Sequence, residues 1–403
     1  MPGIISTTLA SRLVRLQTFK EVVWGTPSLA TARWMAVQPF PQFKPYQKST
    51  LFDEDRGSLQ NNFLSAVLQD GGEFSMNAHC TFEDMNFILQ GGMQAVSPTG
   101  VNPYTWAYAA PTDAAYYVQS YTFEHGYDQG TIGVSGAMFN KWSIKSSAKK
   151  QWEVSAGGFF KTYYPNSAMA IASSTAVNPS AVTTSADHGL TSGMRVVISG
   201  HTVNTAINGS WTVTVTGANT FTVPVLGIGG GGAATGTVTK TQTPAIADRD
   251  VEVILFPGTT LKMEAQGGTL GTTSYSNQFL GFSLDYTPGL MPIYGSDTKS
   301  PIAWTYAKAT PTLSMKLLYT PEIKAFINTT LKAGQRAVTQ IKNISGAKSA
   351  ELDFAGVLAD DPSYYPNEQD AVAVDIKLEG QYEPVSIANQ LKATWINAVS
   401  TLP

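Results

Sequence analysis

Phe74–Leu89 reads FSMNAHCTFEDMNFIL, and Leu313–Asn328 reads LSMKLLYTPEIKAFIN. In each stretch apolar side chains first alternate, as along a half-buried strand: Phe74, Met76, Ala78 and Cys80, then Leu313, Met315, Leu317 and Tyr319. A threonine follows at a helix N-cap position (Thr81, Thr320), and apolar residues then recur at helical spacing: Met85, Ile88 and Leu89, then Ile323, Phe326 and Ile327. Pro321 takes the first helical position, where its missing N–H costs nothing. Six of the fourteen positions from Ser75 to Ile88 are identical in the second stretch. The period switches from two to about three and a half at the same point in both, which marks a strand–helix unit used twice. A duplicated unit suits symmetric assembly better than chemistry at one site.

Around these units the chain divides into three segments. Residues 1–166 open with a helix candidate over Leu9–Gln17 and a strand over Arg33–Val37. A Pro-bearing stretch, Pro39–Gly72, follows with the acidic cluster Asp53, Glu54 and Asp55, and it is too long to be an idle loop. Strands are expected at Tyr117–Phe123, Gly130–Met138, Lys141–Lys145 and Gln151–Phe159. Residues 167–246 hold three charged residues (Asp187, Arg195, Lys240) and are dense in Thr, Val, Ala and Gly. Asn208-Gly209 reads there as a hairpin turn before the strand Ser210–Val215, and short, evenly spaced strands predict a small β-barrel or Ig-like module. Residues 247–403 repeat the plan of the first segment. A strand pair (Thr260–Ala265, Phe279–Tyr286) precedes an arm over Pro288–Ala309, the second strand–helix unit, and strands Ala350–Val357 and Ala371–Gly380. The chain therefore reads as mainly β: two similar halves, each with a flanking helix, around an inserted small β domain bounded near Pro165 and Pro244.

Composition narrows the function. Charged residues make up 14% of the 403, against roughly a quarter in ordinary soluble domains. Much of the surface is thus polar, uncharged and aromatic, as suits burial in an assembly. The net charge of −3 supplies no basic field for nucleic acid. Cys80 is the single cysteine, which excludes an intrachain disulfide framework and fits a reducing cytoplasm. The first residues lack a continuous apolar core and a small-residue cleavage site, so no signal peptide is expected, and no run of about 18 apolar residues predicts a membrane segment.

No chemical motif emerges. The Gly229–Gly232 run precedes a strand rather than a helix N-terminus, so it reads as a hairpin loop and not a phosphate cradle. His79 and Cys80 are neighbours on a strand, point to opposite faces and cannot share a metal. His125, His188 and His201 have no ligand spacing and read as surface or turn histidines, and Asp53–Gly57 lacks the alternation of a calcium loop. Catalytic, cofactor-binding and metal-binding residues are all expected to be none.

Lys20-Glu21-Val22-Val23-Trp24-Gly25-Thr26-Pro27 resembles the "KE-x-x-(aromatic)-GT" opening of bacteriophage tail proteins. Together with the strand–helix units, the arms and the closing strand Val372–Tyr382, it resembles the major tail tube protein of long-tailed phages. The middle segment, with His188-Gly189-Leu190, Ile207-Asn208-Gly209 and Ala218–Val223, is similar to a small β-barrel of phage virion proteins. The resemblance implies β-sandwich or barrel domains with one helix each, whose sheets join between subunits into a cylinder. With the tube domain doubled, it implies three chains per ring, pseudo-sixfold symmetry, stacked rings, and arms that order against the next ring. The implied setting is the virion tail, assembled in the host bacterial cytoplasm. The implied partners are further copies of the chain, the tape measure, tail tip and tail terminator proteins, and viral DNA that crosses the lumen without specific binding. The lumen is then expected to be neutral to acidic, since lysines paired to phosphates would arrest the genome. The alternatives are a phage or bacterial Ig-like surface adhesin that binds host glycans, and a polysaccharide depolymerase.

Overall fold

The computed structural model describes residues 15–26, 33–34, 42–45, 48–52, 64–112, 117–127, 130–165, 168–185, 188, 190, 192–228, 234–241, 251–296, 298–366 and 371–402. The fold is mainly β. The first half holds β1 (Arg15–Lys20), β2 (Arg33–Trp34), β3 (Gln42–Pro45), β4 (Lys48–Phe52), β5 (Leu64–Gln69), β6 (Gly72–His79), α1 (Met85–Gly92), β7 (Tyr104–Ala109), β8 (Tyr121–Tyr127), β9 (Gly130–Ser147), β10 (Glu153–Phe160) and β11 (Thr162–Pro165). The middle holds β12 (Met169–Ser174), β13 (Ser180–Thr184), β14 (Arg195–Ser199), β15 (Gly209–Thr212), β16 (Thr214–Val215), β17 (Thr220–Val223) and β18 (Thr237–Thr241). The second half holds β19 (Thr259–Ala265), β20 (Phe279–Thr287), β21 (Leu290–Tyr294), β22 (Pro301–Tyr306), β23 (Thr310–Leu318), α2 (Pro321–Phe326), β24 (Ala337–Ser345), β25 (Lys348–Leu358), β26 (Ser363–Pro366), β27 (Val372–Gly380) and β28 (Leu391–Asn397).

The two halves follow one pairing scheme. In the first, β3 pairs with β6, β6 with β10, β10 with β9, β9 with β8 and β8 with β1. In the second, β20 pairs with β23, β23 with β27, β27 with β25 and β26, β25 with β24, and β24 with β19. The registers superpose as well. Phe43 faces Phe74 and Ala156 faces Met76, as Leu284 faces Leu313 and Ile376 faces Met315. A hairpin interrupts both halves at the same place: β4–β5 lies between β3 and β6, and β21–β22 between β20 and β23. The repeated sequence unit is therefore part of a longer structural repeat.

Period-two burial builds these strands. In β6, Phe74 and Met76 point inward while Glu73, Ser75 and Asn77 face out; β28 alternates along its whole length. Both halves share one sheet of seventeen strands, nearly closed on itself like a barrel, and one hydrophobic core that runs from Phe74, Phe123 and Phe139 to Leu284, Ile376 and Trp395. The middle segment has its own seven-stranded sheet and its own core around Val196, Phe221 and Val238. A short ion pair of 2.9 Å, from Lys240 on β18 to the buried Glu124 on β8, fastens it to the first half. The expected junctions at residues 166–167 and 246–247 lie outside the described residues.

Several expected elements differ. The described end of the Leu9–Gln17 helix candidate belongs to strand β1, because pairing with β8 buries Leu16 to Phe19 on both faces and overrides a weak helical pattern. Asn208-Gly209 is not a two-residue hairpin. The chain from β14 to β15 passes through a 3-10 turn at Thr205–Ile207, and the Asn208 amide bridges back to His201 N and O. Gly130–Met138 and Lys141–Lys145 fuse into the single 18-residue β9. The strands at Thr260–Ala265 and Phe279–Tyr286 exist but do not pair with each other: β19 joins β24, and β20 joins β23 and β9.

Candidate functional site

The structure concentrates its distinctive geometry where the halves meet. β20 of the second half lies antiparallel to the far end of β9 of the first, with six residue pairs from Gly281↔Ser147 to Tyr286↔Trp142. At the centre of this joint Leu284 faces Ile144, both fully buried, and the Trp142 and Tyr286 rings meet at 5.0 Å. Such an aromatic contact adds about 0.5–1.5 kcal/mol beyond its buried area. A second contact closes the body from the other end, where β28 pairs with β7. The turn before α1 is clamped too: Lys348 Nζ lies 2.6 Å from Glu83 Oε1 and 3.1 Å from Glu252 Oε2, and the Ser345 hydroxyl donates to Glu252.

The joint makes the strands β3–β6–β10–β9–β20–β23–β27–β26 one uninterrupted surface. One side of it is core. The other is polar across the joint and gives way, at the far ends of β9 and β10, to a small buried cluster of Met138 and Phe159 under Leu290 of the β21–β22 arm. Alternation places Glu73, Glu153, Asp285, Asp375 and Glu379 on this side together with Lys44, Lys141, Lys145, Lys316 and Lys377. Five carboxylates and five lysines cancel. Opposite charges are neighbours within it: Lys145 lies 3.6 Å from Glu153, and Lys316 pairs across the ladder with Asp375. A depression of about 320 Å³ straddles the joint, lined by Ser75, Asn77, Lys141, Ser143, Asp285 and Thr287 among others. Burial, and then the hydrogen bond to Asp375 at 2.7 Å, holds the Tyr365 hydroxyl well above its ordinary pKa.

The opening motif has a physical role in this body. Glu21 is buried, and its carboxylate accepts hydrogen bonds from Ser120 Oγ, Thr122 Oγ1, Gly25 N and Gly136 N at 2.7–2.8 Å. Four donors substitute for water around a buried charge. Trp24 donates to Gly136 O at 3.1 Å and carries Lys161 Nζ 4.7 Å above its ring, so the acidic, aromatic and glycine positions of the motif build one loop against β8 and β9.

The histidines stay apart. His79 faces out beside the buried Cys80, as strand neighbours must. His188 and His201 are buried turn residues of the middle module rather than surface ones, and their Nδ1 atoms accept from Leu190 N and Asn204 N. The side chain of His125, Asp53–Gly57 and Gly229–Gly232 lie outside the described residues. Among the described residues no three His, Cys, Asp or Glu side chains gather as a metal site, and no helix is long and apolar enough to cross a membrane. Sequence reading missed the joint itself and strand β26, whose four residues Ser-Tyr-Tyr-Pro are too few to show alternation. Compared with models of protein families the chain matches none, and no curated protein matches it.

Proposed function

We propose that this chain is the subunit of a bacteriophage tail tube, in which three copies complete a pseudo-sixfold ring and rings stack into a conduit for the genome. The observation that carries this reading is the β9–β20 joint. Two equivalent units of one chain are already joined edge to edge through their sheets, which is the contact a ring of such units repeats. The charge-balanced face of the joined sheet supports a lumen role. Lys44, Lys145 and Lys316 stand opposite or beside Glu73, Glu153 and Asp375, which weakens their hold on a passing phosphate and lets DNA slide without specific binding.

The exposed Met291, Ile293 and Ile302 on the β21–β22 arm supply apolar surface for the next ring. Further copies of the chain, the tape measure, and the tail tip and terminator proteins are the partners of this reading, in a virion tail assembled in the bacterial cytoplasm. The middle module, with a core of its own, stands on the outer wall, since a body of its size on the inner wall would block the lumen. Electron microscopy of the purified protein is the test. Tubes or rings with three chains per ring are expected, also when residues 167–243 are replaced by a short Gly/Ser linker. Monomers at every concentration, or rings of six whole chains, overturn the reading.

A further inference from the structure

The internal joint specifies, by the equivalence of the halves, where a second copy attaches. In the first half the far end of β9 runs alongside β10 and receives β20 on its other side. In the second half the strand alongside the matching part of β27 is β26, and the counterpart of β20 in the first half is β3. We infer that β3 of one chain pairs antiparallel with β26 of the next, in a register that sets Phe43 against Tyr364, Gln42 against Tyr365 and Lys44 against Ser363. This inference rests on the tube reading and names the surfaces that close the ring.

The register follows from two superpositions. Phe43 stands to Phe74 as Leu284 stands to Leu313, which equates Phe43 with Leu284. Ile144 faces Val154 across the β9–β10 ladder, and Tyr364 faces Val374, where Val154 and Val374 are equivalent through their ladders to β6 and β23; Tyr364 therefore matches Ile144. Leu284 faces Ile144 in the internal joint, so Phe43 faces Tyr364 in the external one. Side-chain character agrees. Tyr364 is a large ring on the core side of the sheet, against Tyr319 at 5.0 Å, yet 46% exposed, whereas its counterpart Ile144 is fully buried. Phe43 also lies on the core side, edge-on to Phe160 at 6.2 Å, and is half-buried where Leu284 is buried. Both are apolar groups left at the margin of a core that the next chain completes.

The two joints differ in length for a chemical reason. Pro45 stands where Tyr286 stands in the internal joint, and Pro362 where Trp142 stands. Neither proline can donate a ladder hydrogen bond, so pairing beyond Lys44 and Ser363 ends there. Pro41 and Pro366 bound the other ends of the two segments. Three residue pairs remain against the six of the internal joint. Short, proline-flanked edges protect a free chain from indiscriminate strand addition. The external joint is thus the weaker of the two and forms last.

The test is disulfide trapping. Lys44→Cys and Ser363→Cys in one chain replace exposed residues on the polar side, and directly opposite Cβ atoms lie about 4.5–5.5 Å apart, near disulfide reach. The native Cys80 is buried, so background crosslinking is low. Under mild oxidation the assembled double variant should yield covalent dimers and trimers that end at three, and Gln42→Cys with Tyr365→Cys should do the same. Gln42→Cys with Ser363→Cys, two residues out of register, should crosslink at least tenfold less. Tubes that form normally while neither in-register pair crosslinks overturn the β3–β26 joint and leave the tube reading standing. Wild-type protein that forms no ring or tube overturns the tube reading, on which the joint depends.

Discussion

The helix of the first half is buried along its whole length, from Met85 to Gly92, whereas in the second half only Ile323 and Phe326 of α2 are buried, and Glu322, Lys324 and Ala325 face solvent. The two share one sequence pattern. What separates them is what the rest of the chain lays over each. Around α1 lie β7, held in place by β28 of the other half, and the clamp of Lys348 on Glu83. Polar residues that helical spacing puts on the outer face have accordingly acquired partners: Asn86 accepts from Tyr108 OH at 2.9 Å, and Gln90 donates to Val96 O at 2.7 Å. Gly91 abuts Phe139 so closely that a Cβ there would stand 2.5 Å from the ring. One unit has become an internal part of the chain, and the other has kept an outer surface.

The largest difference should appear on truncating the matched phenylalanines. Phe87 is fully buried and packs edge-on to Tyr121 at 5.9 Å, while Phe326, buried but for 8% of its surface, packs against Tyr275 at 5.8 Å. Phe87→Ala should cost about 4–5 kcal/mol and Phe326→Ala about 3 kcal/mol, as cavities that collapse less cost more. Urea midpoints of the two variants decide the matter. Equal losses would mean that the burial of α1 adds nothing to its anchoring.

Next in size is the clamp. Lys348→Met should cost about 1–3 kcal/mol, because it leaves the nearly buried Glu83 carboxylate facing Glu252 without the cation between them. Hydrogen exchange should quicken in α1 and not in α2. Hydrogen bonds from Ser345 and Lys348 hold Glu252 below the usual carboxylate range. Burial alone would lower the Lys348 pKa, but its bonds to Glu83 and Glu252 raise it. A carboxylate depressed in the folded state stabilises above its unfolded pKa and stops doing so as pH falls through the folded value; a raised lysine stabilises until pH climbs past its ordinary value. The penalty of Lys348→Met should therefore stay level from pH 6 to 9 and shrink on acidification. A penalty that grows toward low pH would sink this account.

Much of this was legible in the residues and much was not. Alternation in FSMNAH and LSMKLL fixes which face each side chain takes, and with it the polar and core sides of β6 and β23. It carries no information about which edge meets which. β20 could not be assigned to β9 across so many residues, and the pairing of β28 with β7 was equally hidden. Local signals failed where tertiary contact outweighs them: β1 is a strand because β8 is beside it. The charge-balanced face was invisible for the same reason, since its ten charges come from seven strands that only pairing brings together.

A smaller effect lies in the strand that separates the halves chemically. β25 carries Glu351 and Asp353 on one face, bridged by the Gln340 amide at 3.2 Å to each, whereas its counterpart β9 has no carboxylate at all. Burial, and then the charge of Glu351, pushes the Asp353 carboxyl up to about 7. An acid raised in the folded state binds protons that the unfolded chain has released, so stability falls as pH rises from about 4 to about 7 and levels off above. Asp353→Asn should remove that slope and gain on the order of 1–2 kcal/mol at pH 8. Thermal melts at pH 5 and pH 8 measure it, and a slope that survives in Asp353→Asn assigns the titration to another group.

The finest difference concerns the two threonines that open the repeated helices. Thr320 takes the N-cap of α2, with its hydroxyl accepting from Ile323 N at a long 3.5 Å. Thr81 accepts from Asp84 N at 2.9 Å, but it caps the turn that precedes α1, and the helix itself begins at Met85. The same residue at the same place in the repeat thus does related work one turn apart. The first-half bond is the shorter, and it is buried, so its loss leaves Asp84 N without water to replace the hydroxyl. Thr81→Ala should cost about 1–2 kcal/mol, while Thr320→Ala, whose bond is weak and partly exposed, should cost about 0.5 kcal/mol or less. Thr→Ser at either site should restore most of the loss, because only the hydroxyl oxygen is needed. If the two alanine variants melt together, or Thr320→Ala melts first, the burial of the first unit does not govern the strength of its cap.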